Sequence, residues 1–443
     1  MKKTLFQFIL ITSLIFGIII AVLIFAGIIK VPGSKNSTAG LSGTVVIWGT
    51  LSEDKMASVI TPISKDVKTY KIEYVEKRES TYEIDLVEAL ASGKGPDIVI
   101  IDPGLLIKQS DKIKPTAFKT FSERDYKDTF VSVGDLFLSP NGILAFPISV
   151  NPMVLYYNKD ILDQEGVPLP PAYWSDLISL APKLSKVDEN GILTKSMVAL
   201  GEYDNVTHAK DIFAMMVLQL GNPIIDSQIR TSEGVSYFIH KAVIDTSTAD
   251  GVRVGESVLR FYTEFADPAK QTYSWNKTFG DSKGLFIGGK LPFYFGFASE
   301  YTEIQEKNPN LRFDISKVPQ IRADYPIKAT YGQVQGVALL NSSKNPSASY
   351  NAMQYLISPN YSSVIAEALG TAPARRDALA IKQESAYKGV VYPSAIIARG
   401  WLDPNEVKTN EIFKRMITGA VSGRSTLTES VRDFVNSMND MLP

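Results

Sequence analysis

Thr44-Val45-Val46-Ile47-Trp48, Lys71-Ile72-Glu73-Tyr74-Val75 and Asp97-Ile98-Val99-Ile100-Ile101 punctuate residues 44–101, and the reading of this stretch decides the fold. The first and third runs are apolar and short, as buried strands are. A helix is expected from about Ser52. Ser80-Thr81-Tyr82-Glu83 has the spacing of a capping box and predicts a second helix to about Ala91. Asp102-Pro103-Gly104 closes the third strand. The order strand, helix, strand, helix, strand argues for an α/β sheet with parallel strands and helices on its faces.

Working toward the C-terminus, Asn141-Gly142 stands between two apolar runs and predicts a tight antiparallel hairpin. A strand is expected at Met153–Tyr157. Pro168, Pro170 and Pro171 form a stiff connection to Trp174 and a helix over Ser175–Leu184. Further helices are expected over His208–Leu220, Ala249–Phe265 and Ser347–Leu356, and strands over Leu291–Gly296, Leu311–Val318 and Gln335–Leu340. Strand–helix alternation resumes after Pro319, so the chain is expected to revisit an earlier sheet. No short internal repeat is evident.

Working toward the N-terminus, Lys2 and Lys3 precede an uncharged run from Leu5 to Ile29. As a helix it would span roughly 37 Å at ~1.5 Å per residue, more than the ~30 Å hydrocarbon core. It is longer than the apolar core of about 7–15 residues in a cleaved signal. The expectation is therefore a transmembrane signal anchor over 5–29, its lysines cytoplasmic and the rest of the chain outside. Residues 30–43 carry Pro32, Gly33, Ser34, Asn36, Ser37, Thr38, Gly40 and Ser42 and read as a flexible linker.

Composition removes several function classes. With 443 residues the chain exceeds one compact core, and two lobes are expected. Basic and acidic residues number 46 and 47, so no strong field for nucleic acid exists. The absence of cysteine removes disulfides, thiolate metal sites and cysteine nucleophiles. His208 and His240 are the only histidines, which rules out a three-histidine metal site. Both are read as capping or surface residues, His240 within a semi-polar helix. No cofactor is expected. No Gly-x-Ser-x-Gly elbow, phosphate loop or His-Glu-x-x-His helix occurs. Ser52-Glu53-Asp54-Lys55 matches Ser-x-x-Lys formally but lacks its companion motifs, and adjacent Glu53 and Asp54 point apart on a helix.

Phe146-Pro147-Ile148-Ser149-Val150-Asn151-Pro152-Met153-Val154-Leu155-Tyr156-Tyr157-Asn158-Lys159-Asp160, followed by Pro170-Pro171, Trp174 and Leu177, resembles a signature of ABC-importer extracellular solute-binding proteins, specifically the maltose-binding-protein-like group. Gly95-Pro96-Asp97-Ile98-Val99, Phe286-Ile287-Gly288-Gly289-Lys290, Leu369-Gly370-Thr371-Ala372-Pro373-Ala374-Arg375 and Ser422-Gly423-Arg424 resemble further family elements in the same order. Leu291-Pro292-Phe293 departs from the usual small-residue and Met continuation. Many bacterial relatives carry a lipidated N-terminal cysteine; this chain has none, and the long apolar segment takes that place.

The resemblance implies a two-lobed periplasmic-binding-protein-like (type II) fold. Lobe 1 would comprise 44–148 and 320–370, and lobe 2 would comprise 152–316 and 374–443, with crossings near Ile148–Asn151, Lys317–Gln320 and Gly370–Pro373. Open α/β sheets bind ligands outside the carboxyl ends of their strands. A ligand touching both lobes favours the closed state. A sugar needs aromatic faces for its C–H surfaces and polar groups for its hydroxyls. Trp48, Asp102, Glu202, Tyr203, Trp275, Phe297, Ser299, Tyr331 and Trp401 offer these at expected strand ends and loops, and the resemblance adds Asn151 as a ligand contact. The implied function is the extracytoplasmic substrate-binding component of an ABC importer, not an enzyme. Its partners would be a small, polar ligand, carbohydrate by preference, the permease subunits, and the membrane through the N-terminal helix. An anchored glycan-active enzyme and a ligand-sensing domain coupled to a signalling partner are the alternatives.

Overall fold

The structure, a computed structural model, describes residues 41–248 and 251–442. The expected spanning segment 5–29 and the linker as far as residue 40 lie outside the described residues. Among the described residues no helix is long and apolar enough to cross a membrane.

The first strands form as the sequence requires. β1 (Thr44–Gly49), β2 (Lys71–Glu76) and β3 (Ile98–Ile101) are parallel, with β1 central. α1 (Glu53–Asp66) and α2 (Tyr82–Ala91) supply the crossovers. The expected capping box does not form: Glu79–Thr81 wind into a 3-10 turn that leads into α2, and Thr81 makes no side-chain cap. Asp97 explains the Gly-Pro-Asp motif. Its carboxylate accepts from Val46 N at 3.0 Å, Ser343 Oγ at 2.6 Å and Lys344 N at 3.0 Å, tying β1 to a distant loop.

β4 (Phe146–Asn158) is one continuous 13-residue strand where the sequence marked a crossing followed by a separate strand. It changes partners at its midpoint. Residues Phe146–Pro152 pair with β7 (Thr330–Leu339), and Met153–Tyr157 pair with β5 (Phe293–Phe297). β6 (Phe313–Ser316) pairs with the far half of β4, and β8 (Ala372–Pro373) with Val150 and Ser149. β9 (Ala398–Arg399) pairs with the start of β7. The sheet order is β5-β4-β7-β3-β1-β2. β7 runs antiparallel to both β4 and β3, confirming that the chain returns to the first sheet.

Pro152 interrupts β4 only between its two partners, which is where a strand tolerates a residue without an N–H. Asn158 caps the helix that follows, its Oδ1 accepting from Ile161 N at 3.1 Å. α3 (Gly104–Gln109) follows β3, α4 (Trp174–Leu184) follows the proline-rich link, and α5 (Ala209–Gln219) is buried along nearly its whole length. Gln219 stitches this region: it accepts from Trp174 Nε1 at 2.7 Å and donates to the Pro319 and Ala329 carbonyls at 2.9 and 3.0 Å. The Gln320 N–H donates to the Ala172 carbonyl at 2.9 Å, and β7 is the strand that runs back beside β4.

Two further expectations are corrected. Residues 225–242 form a β-hairpin, Ile225–Ser232 against Val235–Ala242, so His240 lies in a strand. The helix expected from Ala249 is α6 (Val254–Glu264). The register of the hairpin places Ser227 opposite His240 and Ile229 opposite Phe238, a period-2 pattern hidden by its polar positions. The chain closes with α7 (Pro346–Leu356), α8 (Pro359–Leu369), α9 (Ala386–Ile396), α10 (Glu406–Val421) and α11 (Leu427–Asn439).

Candidate functional site

The register fixes where the strand ends meet. β3 ends opposite Gly336 of β7, and β1 ends beside β3, so their carboxyl ends point toward the middle of β4 and β7. β5 approaches from the other direction and ends with Phe297 opposite Met153. Two sets of carboxyl ends therefore face each other across a gap floored by Asn151, Tyr331 and Gln333. Tyr331 and Gln333 are two apart on β7 and share one face.

Side chains from both halves converge on that floor. Asn151 Nδ2 donates to Ser299 Oγ and Gln333 Oε1, each at 3.0 Å, and its Oδ1 accepts from Ser299 N at 3.1 Å. Phe297 lies 6.2 Å from the Tyr331 ring and meets His208 edge-on at 4.8 Å.

His208 has a left-handed backbone (φ 63) and makes no cap with its side chain. Instead its Nε2 donates to Glu300 Oε1 at 2.8 Å, and Asp211 Oδ2 lies 3.7 Å from its Nδ1. Burial alone would disfavour the imidazolium, but these two carboxylates raise its pKa to about 9. Glu300 answers in the opposite direction. Burial opposes its charge, yet His208, Lys283 at 3.0 Å and the Phe297 N–H at 2.7 Å bring the carboxyl down to about 2. The packing requires Gly296: a Cβ there would fall 2.5 Å from the Tyr294 ring and 3.1 Å from Glu300 Oε1.

The loop after β9 forms the other wall. Asp403 accepts from Lys210 Nζ and from Thr409 Oγ1, each at 2.8 Å, and its carbonyl packs so close to Gly104 that a Cβ there would sit 2.7 Å away. Asp102, at the end of β3, accepts from Gly104 N at 2.8 Å. It is exposed, yet desolvation raises its pKa, which is the behaviour of a carboxylate in a groove. Tyr203 donates to Asn410 Oδ1 at 2.8 Å and lies within electrostatic reach of Asp211 and Asp403. Among the described residues no group of three or more His, Asp or Glu is arranged to hold a metal ion.

The structure brings Asn151, Phe297, Ser299, Tyr331 and Trp401 together, with Asp102 and Tyr203 at the rim. Trp401 is 6% exposed, and its buried indole Nε1 makes no hydrogen bond of ordinary geometry. Trp48 is nearly buried at the end of β1, and the Lys77 ammonium sits 3.8 Å over its ring. Glu202 is buried beside Lys277, its carboxyl raised by desolvation. Trp275 does not join them. It is 0% exposed, stacks on Phe279 at 4.9 Å and donates Nε1–H to Asn205 at 3.0 Å, so it offers no free face. Sequence reading missed Gln333, Asp211, Asp403, Glu406, Lys210 and the His208–Glu300 pair. Lys210 and Asp211, adjacent charges in the first turn of an otherwise apolar helix, carried a local signal.

The sequence matches the profile of the bacterial extracellular solute-binding proteins over residues 50–361, most of the chain. The chain belongs to this family. Curated relatives of this solute-binding protein include binding proteins of Brucella abortus and Brucella suis, each 20% identical over 294 residues. Those alignments span 65% of this chain and 64% of each relative's length. Among solved structures, a cyclic α-maltosyl-1,6-maltose binding protein from Arthrobacter globiformis superposes with a TM-score of 0.69 at 15% identity, covering 90% of this chain and 98% of that one. A cyclo/maltodextrin-binding protein complexed with maltotetraose gives 0.68 at 16% identity, covering 90% and 96%. The GacH receptor of Streptomyces glaucescens, solved unliganded and with acarbose, gives 0.64 at 15%, covering 91% and 99%. These likenesses establish the two-lobed periplasmic-binding-protein-like fold of this solute-binding protein.

Proposed function

We propose that this solute-binding protein is the extracytoplasmic substrate-binding component of an ABC importer, and that it captures a sugar or oligosaccharide by closure of its lobes. The observation that carries this reading is the Asn151–Ser299–Gln333 cluster, which gathers hydrogen-bonding groups at the point where β4 exchanges the partners of one half for those of the other. A solute bonded there touches both halves, so its binding free energy differs between open and closed arrangements, and that difference drives closure. Phe297 and Tyr331 supply apolar faces beside the polar floor. The carbohydrates held by structural neighbours, maltotetraose and acarbose among them, support the ligand class.

We take lobe 1 to comprise 44–148 and 320–370 and lobe 2 to comprise 152–316 and 374–443. We read the site as binding Asn151, Phe297, Ser299, Tyr331 and Trp401 to the solute, with Asp102, Tyr203, Trp48 and Glu202 at its margins. Residues 5–29 would anchor the protein in the membrane beside its permease. Release without chemical change is the expected cycle.

The test is calorimetric titration of residues 43–443 with neutral mono- and oligosaccharides, followed by recovery of the ligand. Stoichiometric binding with unchanged ligand supports the reading. Saturable binding of another solute class, with none of any sugar, overturns the carbohydrate assignment, and product formation overturns the binding role.

A further inference from the structure

The backbone corner that carries Ser299 is bonded at each step. The Phe297 N–H donates to Glu300 Oε1, and the Phe297 carbonyl accepts from the Tyr156 hydroxyl, both at 2.7 Å. The Ala298 N–H donates to the Pro152 carbonyl at 3.0 Å, and the Ser299 N–H to Asn151 Oδ1. These partners lie in β4 or just after the corner itself. One partner comes from elsewhere: the Tyr387 hydroxyl of α9, 2.9 Å from the Ala298 carbonyl. The same hydroxyl lies 2.7 Å from the Gly370 carbonyl. A phenol has one hydrogen, so that hydrogen serves two carbonyls from separate segments.

Gly370 is the second half of the argument. It ends α8 with a left-handed backbone (φ 63), and a Cβ there would lie 3.7 Å from Ser299 Cα, so this turn packs directly on the corner. Two residues later the chain is β8, paired with Val150 and Ser149 of β4, the residues that precede Asn151. In the lobe division taken above, Gly370 is the last residue of lobe 1, whereas Ala298 and Tyr387 belong to lobe 2. The Tyr387 ring packs edge-on against Tyr301 at 5.1 Å, a contact that holds its hydroxyl in place and that phenylalanine would keep. The Ala298 carbonyl also accepts from the Tyr301 N–H at 3.2 Å, so loss of the phenol does not leave it without a partner.

We propose that Tyr387 is a positioning residue that couples the solute-contacting corner Phe297–Ser299 to the connection between the lobes at Gly370–Pro373. Its hydroxyl makes the corner and Gly370 move as one unit, so a solute that draws on Ser299 also turns the connection. A contiguous set of hydrogen bonds with two arrangements is the physical form such coupling takes. The inference rests on the closure reading above and adds the route by which contact with solute reaches the connection.

The experiment compares the full chain, purified in detergent, with Tyr387→Phe and with Tyr361→Phe. The second variant is the control: the Tyr361 hydroxyl of α8 bonds Asp66 at 2.7 Å, wholly within lobe 1. Amide exchange read by mass spectrometry is expected to quicken about fivefold in Tyr387→Phe over both 297–301 and 370–376, and over neither in the control. With maltotetraose or acarbose at saturation, energy transfer between dyes at positions 94 and 307 reports closure. The ratio of closed to open molecules is expected to fall about fivefold in Tyr387→Phe and to stay unchanged in the control. A residue that only supports the fold would lower the melting temperature and leave that ratio alone. In the wild type, either sugar is expected to slow exchange over 370–376 together with 297–301. Exchange over 370–376 unmoved by Tyr387→Phe overturns the inference, and where neither sugar binds this comparison decides alone. So does a saturated variant that closes as fully as wild type, or wild-type slowing confined to 297–301. A wild type that binds either sugar without closing overturns the closure reading itself, a failure seen without any variant.

Discussion

Asn151 and Ser299 exchange two hydrogen bonds: Asn151 Nδ2 donates to Ser299 Oγ at 3.0 Å, and the Ser299 N–H donates to Asn151 Oδ1 at 3.1 Å. One partner lies in the strand shared by both halves of the sheet, the other at the end of β5. Asn151→Ala removes both bonds and leaves the Ser299 N–H dependent on water. Urea unfolding should show a loss of about 1–2 kcal/mol, and calorimetry a loss of affinity of about tenfold or more. Unchanged affinity would remove Asn151 from the site.

The His208–Glu300 pair sets a pH dependence. His208 is raised from 6.5 to about 9, so its contribution to stability is full below pH 6.5 and is lost as pH rises through 9. Glu300 is lowered from 4.5 to about 2, so its contribution is full above pH 4.5 and is lost as pH falls through 2. Melting temperature should therefore decline from pH 6.5 to 9.5, and Glu300→Gln should flatten that decline. An equal decline in the variant would assign the effect elsewhere.

Trp275 and Trp401 should separate stability from binding. Trp275→Ala empties a fully buried site and should cost about 3–5 kcal/mol in chemical denaturation. Trp401→Phe deletes an N–H that has no partner in the free protein, so stability should change by less than about 1 kcal/mol. Affinity should fall by about tenfold, because the lost bond forms only with solute. Equal affinity for wild type and Trp401→Phe would show that the indole N–H meets no ligand.

Much of the fold was legible because the signals were local. Thr44–Trp48 and Asp97–Ile101 are uninterrupted apolar runs, and the hairpin expected at Asn141-Gly142 forms one residue earlier, with Pro140-Asn141 as its loop and Gly142 already paired with Ser139. The hairpin at 225–242 was not legible: its alternation of Ser227, Ile229 and Thr231 is weakly apolar, and the strands stand outside the main sheet. At the site, Phe297 and Ser299 could be placed because they follow a clear strand. Trp275 misled because its polar neighbours resembled a loop, whereas Asn205, 70 residues away, bonds its N–H and completes its burial. The His208–Glu300 pair spans 92 residues, and no local pattern encodes such a contact.

The most direct measurement is the distance between the two halves with and without solute. The chain lacks cysteine, so single cysteines at exposed Lys94 and Lys307 can carry a donor and an acceptor dye without competing labels. Single-molecule energy transfer on freely diffusing protein should shift to a distinct, closer population as a bound sugar saturates, with a midpoint equal to the calorimetric Kd. A bound sugar that leaves the distance distribution unchanged would contradict closure as the basis of capture.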